Sequence, residues 1–153
     1  MDDRAVVERQ LGRPPRAFRR VAVRCPWGRP AVTEQAARDE RGQPFPTTFW
    51  LTCPHLVAAV SRLEAAGGVE RWSRALESDD ELRESVRRAH EEQRRLRPGL
   101  SSGVGGATRT GSLKCLHAHA AFALARPGYE LGTRVLAELE RVWPADGCCT
   151  PLV

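Results

Sequence analysis

Residues 103–126 read Gly103-Val-Gly-Gly-Ala-Thr-Arg-Thr-Gly-Ser-Leu-Lys-Cys-Leu-His-Ala-His-Ala-Ala-Phe-Ala-Leu-Ala-Arg126. The stretch predicts a glycine-rich loop that runs into a helix over 112–126, with Pro127-Gly128 as its stop. The alanines at 118, 120, 121, 123 and 125 carry little bulk, so neighbours can approach this helix on several sides, and it belongs at the centre of a core. On a regular helix Leu113, Leu116, Ala120 and Leu124 share one face, with His117 among them; Cys115, His119, Phe122 and Arg126 share another. Cys115 and His119 therefore face the same way. Cys115 and His117 are two residues apart, about 200° around the axis, and do not meet unless the first turn is irregular. On the apolar face, His117 reads as a core histidine.

Working outward, residues 5–11 predict a short helix ended by Gly12 to Pro15. Residues 18–34 alternate and carry the turn Pro26-Trp27-Gly28-Arg29-Pro30, which predicts a hairpin with Cys25 at its tip. Residues 45–52 are aromatic and β-branched and predict a third strand, with Pro46 marking an edge or a start. Pro54 suits the first position of a helix with Thr52 or Cys53 near its N-cap, and Gly67-Gly68 stops it. A short helix follows at 69–77. Ser78-Asp79-Asp80-Glu81 is a capping-box pattern for a long polar helix, 79–96, whose apolar stripe is Leu82, Val86, Ala89 and Leu96. His90 lies off that stripe and reads as a surface residue. Leu131, Val135, Leu139 and Val142 predict a last helix to Trp143. The expected fold is α+β, one domain over 1–153. It is a small antiparallel sheet in the N-terminal half packed with about five helices, the one near 112–126 at the centre.

The chain has 153 residues, 41% apolar and 28% charged, which suits a globular domain with one core. No apolar run approaches the roughly 20 residues that span a bilayer, so membrane insertion is not expected. The start, Met1-Asp2-Asp3-Arg4, lacks a following apolar segment and does not read as a signal peptide. The expected location is therefore the cytoplasm, where thiols stay reduced. Five scattered cysteines suit metal binding, a reactive thiol or burial better than a disulfide framework. The net charge of +5 comes almost wholly from arginines interleaved with acids, a pattern of solvated surface more than of a binding stripe.

Cys115 and Cys53 both fall near predicted helix N-termini, where the helix dipole favours thiolate. Lys114, the only lysine, and Arg109 stand close by in sequence. Together with Thr110 and Ser112 they form a candidate anion cradle ahead of a helix. The spacing does not fit the P-loop pattern, and a plain connecting loop is the simpler reading.

Four segments together resemble a known family: Arg24-Cys25-Pro26-Trp27-Gly28-Arg29-Pro30-Ala31-Val32, Pro44-Phe45-Pro46-Thr47-Thr48-Phe49-Trp50-Leu51-Thr52-Cys53-Pro54, Ser61-Arg62-Leu63-Glu64-Ala65 and Lys114-Cys115-Leu116-His117-Ala118. In order and over about residues 10–149 they resemble the actinobacterial domain of unknown function 501. The resemblance implies no activity. It implies cytoplasmic proteins often encoded near division-septum and exopolyphosphatase genes. It also selects Cys25, Cys53, Cys115, His117 and a C-terminal cysteine, Cys148 or Cys149. Converging soft ligands of this kind suit zinc or an iron–sulfur cluster, although no Cys-x-x-Cys pair is present.

Three functional readings follow. The first is a metal-binding protein using Cys25, Cys53, Cys115 and Cys148, with His117 or His119 as an alternate ligand. The second is an adaptor whose arginine-rich helix 79–96 binds a polyanion or a division-related protein partner. The third is a thiol enzyme with Cys115 or Cys53 as nucleophile and His117, His119 or His55 as base. In that reading Arg109 and Lys114 hold a phosphate-containing substrate.

Overall fold

The computed structural model describes residues 2–109 and 111–150. Helix α1, Asp3–Leu11, is capped by Asp2, whose carboxylate accepts the Arg4 N–H, and it ends at Gly12 in the left-handed region. Strands β1 (Phe18–Arg24) and β2 (Pro30–Gln35) form an antiparallel hairpin, and β3 (Phe49–Leu51) adds to the far side of β2. Val21 pairs with Thr33, and Val32 pairs with Leu51. The hairpin turn closes with the Gly28 N–H on the Cys25 carbonyl, so Cys25 does sit at the tip. β2 is central and buried along its whole length. The third strand is shorter than expected, because the prolines at 44 and 46 lack the N–H groups a ladder needs.

Helices α2 (Pro54–Ala65), α3 (Gly68–Ser78), α4 (Asp80–Leu96), α5 (Leu116–Ala125) and α6 (Glu130–Ala137) complete an α+β fold. Pro54 occupies the first position of α2 with Cys53 as N-cap. At α4 the cap is Asp79, not Ser78, and its carboxylate accepts the Leu82 N–H at 3.0 Å. α5 is the central helix. All residues from Ala118 to Ala123 are buried, and the helix packs against β3 and α6. Its alanines allow that contact. So does Gly132 of α6, where a Cβ would collide with the His119 carbonyl oxygen and the Ala123 methyl. Phe122 fills the middle of the core with its ring edge-on to Phe49 and Tyr129, both at 5.5 Å.

Several expectations are corrected. α5 begins at Leu116 rather than 112, which changes the geometry around Cys115. α6 stops at Ala137; Leu139, Val142 and Trp143 still pack on the core, but outside the helix. Leu96 is exposed, whereas His90 is buried, its Nδ1 accepting the Val104 N–H at 2.9 Å. Gly103 allows that approach, since a Cβ there would strike the His90 ring. Among the described residues, no helix is long and apolar enough to cross a membrane.

Candidate metal centre

The residues ahead of α5 decide the chemistry. The Cys115 N–H donates to the Leu113 carbonyl at 2.8 Å, closing a three-residue turn with Lys114 at its centre. Lys114 has φ 65°, a strained conformation for a residue with a Cβ. Cys115 itself is extended (φ −146°, ψ 160°) and forms the N-cap of α5. This is the irregular start that lets Cys115 and His117 face the same point. Their side chains are no longer separated by the helical 200°.

Glu64, in the last turn of α2, is the third member. Its Oε2 accepts the Leu116 N–H at 2.6 Å and stands 3.1 Å from His117 Nδ1. A carboxylate here complements the positive end of the α5 dipole and satisfies one of its open N–H groups. Within this trio, one ligand atom from each of Glu64, Cys115 and His117 lies within 4.8 Å of the other two. His117 Nε2 is 3.3 Å from the Val57 carbonyl and 3.1 Å from Ser61 Oγ. The Cys115 thiol beside the ring, then the Glu64 carboxylate and the Val57 carbonyl, hold His117 above the usual imidazole range against the opposing effect of burial. The side chains of His117 and Glu64 retain 26% and 25% of their exposure, so the centre is reachable from solvent.

Cys115 and His117 also line an open cavity of about 550 Å³. Its walls are mostly apolar, from Trp50 and Leu51 of β3, Val57 and Ala58 of α2, and Ala118 of α5. Gln10 and Arg13 at the end of α1 supply polar groups on the far side.

The other cysteines gather elsewhere, in two pairs. Cys25 Sγ lies 3.6 Å from Cys148 Sγ, and Cys53 Sγ lies 3.8 Å from Cys149 Sγ. All five cysteines are free thiols. Burial, and then the neighbouring Cys149, push the Cys53 thiol up to about 12, outweighing the backbone N–H groups of the α2 N-terminus. Both tail cysteines thus find partners, one each. Of the ligand set drawn from sequence, Cys25, Cys53 and Cys148 fall among these pairs, while Cys115 and His117 fall with Glu64.

The histidine assignments reverse. His119, not His117, is the core histidine: it is fully buried, its Nε2–H donates to the Leu113 carbonyl at 2.9 Å, and the Tyr129 hydroxyl donates to Nδ1 at 2.7 Å. His55 Nε2 bonds the Arg141 carbonyl at 3.0 Å instead of approaching a thiol. Arg109 and Lys114 line a separate cleft of about 440 Å³ with Ser73, Gly111 and Ser112. Thr110 of the expected cradle lies outside the described residues. On α4, Arg83 pairs with Asp80, and Arg87 pairs with Glu84 and Glu91, so two of its five arginines are matched within the helix.

Sequence reasoning missed Glu64. Two signals could have found it: it stands four residues after the buried Val60 on α2, and it lies within the family-like segment at 61–65. A family model described as a protein of unknown function, DUF501, matches residues 21–102, more than half of the chain. The chain belongs to the DUF501 family. The matched stretch is narrower than the resemblance over 10–149. It carries Cys25, Cys53 and Glu64, while Cys115, His117 and the tail cysteines lie C-terminal to it. No curated protein and no solved structure matches this DUF501 chain.

Proposed function

We propose that this protein is a metal-binding protein whose ion sits between Glu64, Cys115 and His117, with zinc as the ion of first choice. The observation that carries the reading is the convergence of a thiol, an imidazole nitrogen and a carboxylate oxygen within 4.8 Å. Sulfur, nitrogen and oxygen ligands of this kind suit zinc, and three protein ligands leave one tetrahedral position open. The second contact of His117 supports the assignment. Nε2–H can donate to the Val57 carbonyl at 3.3 Å, which leaves the Nδ1 lone pair aimed at Glu64 and Cys115. Two electron-rich atoms at 3.1 Å need a proton or a cation between them. The strained Lys114 turn, which holds Cys115 toward the other two, supports a site whose geometry is worth its local cost.

Cys115 and His117 line the 550 Å³ cavity, from which a small molecule would reach an ion that they held. A zinc held by these three residues would supply Lewis acidity and an activated water at neutral pH, chemistry that suits hydrolysis. The apolar walls suit a substrate with a hydrophobic portion. The test is zinc content after extensive dialysis, in the native sequence and in Cys115→Ala, His117→Ala and Glu64→Gln. Retention of metal by the native protein and its loss in the first two variants supports the reading; equal retention in all would overturn it.

One observation favours a second reading. The same trio sets a thiol at a helix N-terminus beside an imidazole, a nucleophile with a base at hand. A metal-free protein whose Cys115 alkylates faster than free thiol, with the rate lost in His117→Ala, would favour that thiol enzyme over the metal site.

A further inference from the structure

We infer that Cys25, Cys53, Cys148 and Cys149 form a second site, separate from the Glu64 centre, that holds a two-iron, two-sulfide cluster. The argument begins with the way the sulfurs are grouped. Two thiolates on one tetrahedral metal at about 2.3 Å stand about 3.8 Å apart. Cys25 and Cys148 are 3.6 Å apart, and Cys53 and Cys149 are 3.8 Å apart, so each pair has the spacing of two ligands on one metal. Among the described residues, no three of these four sulfurs lie mutually within 4.8 Å. One mononuclear zinc needs all six sulfur–sulfur distances to be short. Two pairs held apart fit two metal atoms bridged by inorganic sulfide, with one pair on each.

The backbone supports both pairs independently of the thiols. The starts of β2 and α2 are joined, because the Thr52 and Cys53 N–H groups both donate to the Ala31 carbonyl, at 2.9 and 3.3 Å. Arg24, beside Cys25, pairs with Pro30, the neighbour of Ala31. The tail is held by Thr150, buried, whose hydroxyl accepts from Gln10 Nε2 at 3.1 Å while the same nitrogen donates to the Pro30 carbonyl at 2.8 Å. With the tail anchored there, adjacent Cys148 and Cys149 each reach a different partner. Backbone groups also favour the thiolates: Thr150 N is 3.4 Å from Cys148 Sγ, and Cys53 sits as N-cap at the positive end of the α2 dipole. Such donors stabilise cluster thiolates and tune their potential.

Assembly balances with ferric iron and sulfide. Two Fe³⁺, two S²⁻ and four thiols give a cluster of net charge −2 with its four cysteine thiolates, and four protons leave to solvent. No electron is transferred.

The test is anaerobic reconstitution of the full chain carrying Cys115→Ala, so that the Glu64 centre cannot contribute a thiolate. Ferric iron and sulfide are added with a small thiol, and excess is removed on a desalting column. The expected result is a red-brown protein with about two iron and two acid-labile sulfide per chain. Dithionite should then produce a one-electron paramagnetic signal. Cys25→Ser/Cys149→Ser, which removes one ligand from each pair, should lose the colour while circular dichroism shows the fold retained. A folded native chain that takes up no labile sulfide overturns the inference. So does iron uptake that is unchanged in the double variant, or two disulfides in the mass spectrum of protein handled under the same anaerobic conditions. Failure here leaves the zinc reading of Glu64, Cys115 and His117 standing, because that reading is tested with those three residues alone.

Discussion

Glu64 Oε2 joins α2 to the first turn of α5, standing 2.6 Å from the Leu116 nitrogen and 3.1 Å from His117 Nδ1. One oxygen therefore caps a helix whose own N-cap residue, Cys115, makes no side-chain capping bond, and it also faces a titrating ring. Structure and chemistry are separable by substitution. Glu64→Ala removes the cap and should cost about 1 kcal/mol of stability in urea denaturation of the metal-free protein. Glu64→Gln keeps an amide oxygen for the Leu116 N–H and should cost less than half of that. If the two variants are equally destabilised, the capping role is wrong.

Acid should weaken the fold through His119. Burial, with a smaller effect of the nearby His90, lowers this imidazole to about 4, against 6.5 for an exposed ring. Between those values the unfolded chain binds a proton that the folded chain does not. The neutral ring thus contributes full stability above about pH 6.5, and that contribution falls by about 3 kcal/mol as pH drops to about 4. His117 acts in the opposite sense: its raised value favours the folded state at low pH, an effect lost as pH rises through the folded value. Urea midpoints measured from pH 7 to pH 4 should decline, and the decline should be shallower in a folded His119→Gln variant. A flat profile in the native protein would contradict the burial of a neutral His119.

The Tyr129 hydroxyl is the only protein donor found for His119 Nδ1 among the described residues, at 2.7 Å. Tyr129→Phe keeps the ring packing on Phe122 and leaves a buried acceptor unmatched, at a cost of about 1–3 kcal/mol. A thermal midpoint within error of the native value would show that water reaches Nδ1.

Helix approach gives a sharper contrast. Gly132→Ala sets a methyl against the His119 carbonyl and Ala123 and should cost about 1–3 kcal/mol by forcing α5 and α6 apart. Gly111→Ala meets nothing within 4 Å and should stay within about 0.5 kcal/mol. Equal stabilities for the two variants would contradict the close packing of α6 on α5.

Much of the architecture was legible because it follows from local chemistry. The turn at Pro26 to Pro30 placed Cys25 at a hairpin tip, Pro54 started α2, and the alanine-rich run marked the core helix. The site was less legible because it depends on where α5 begins. Read as helix from 112, Cys115 and His117 point apart; the left-handed Lys114 and extended Cys115 bring them together. No propensity rule expects a lysine at φ 65°. For the same reason the histidine on the expected apolar face, His117, is half-buried at a cavity, while His119 is in the core. The pairing of Cys148 and Cys149 with separate partners rests on the tail anchor from Gln10 to Thr150, a contact between residues 140 positions apart that no local pattern encodes.

The most direct test of the metal centre is cobalt(II) titration, with cobalt as a spectroscopic substitute for zinc. The Cys25→Ser/Cys149→Ser variant should develop a sulfur-to-cobalt charge-transfer band of single-thiolate intensity from the Glu64 centre. Cys115→Ala in the double-variant background should abolish it, and His117→Ala there should weaken binding at least about tenfold. A band that persists unchanged when Cys115 is removed from that background would contradict an ion held by Glu64, Cys115 and His117.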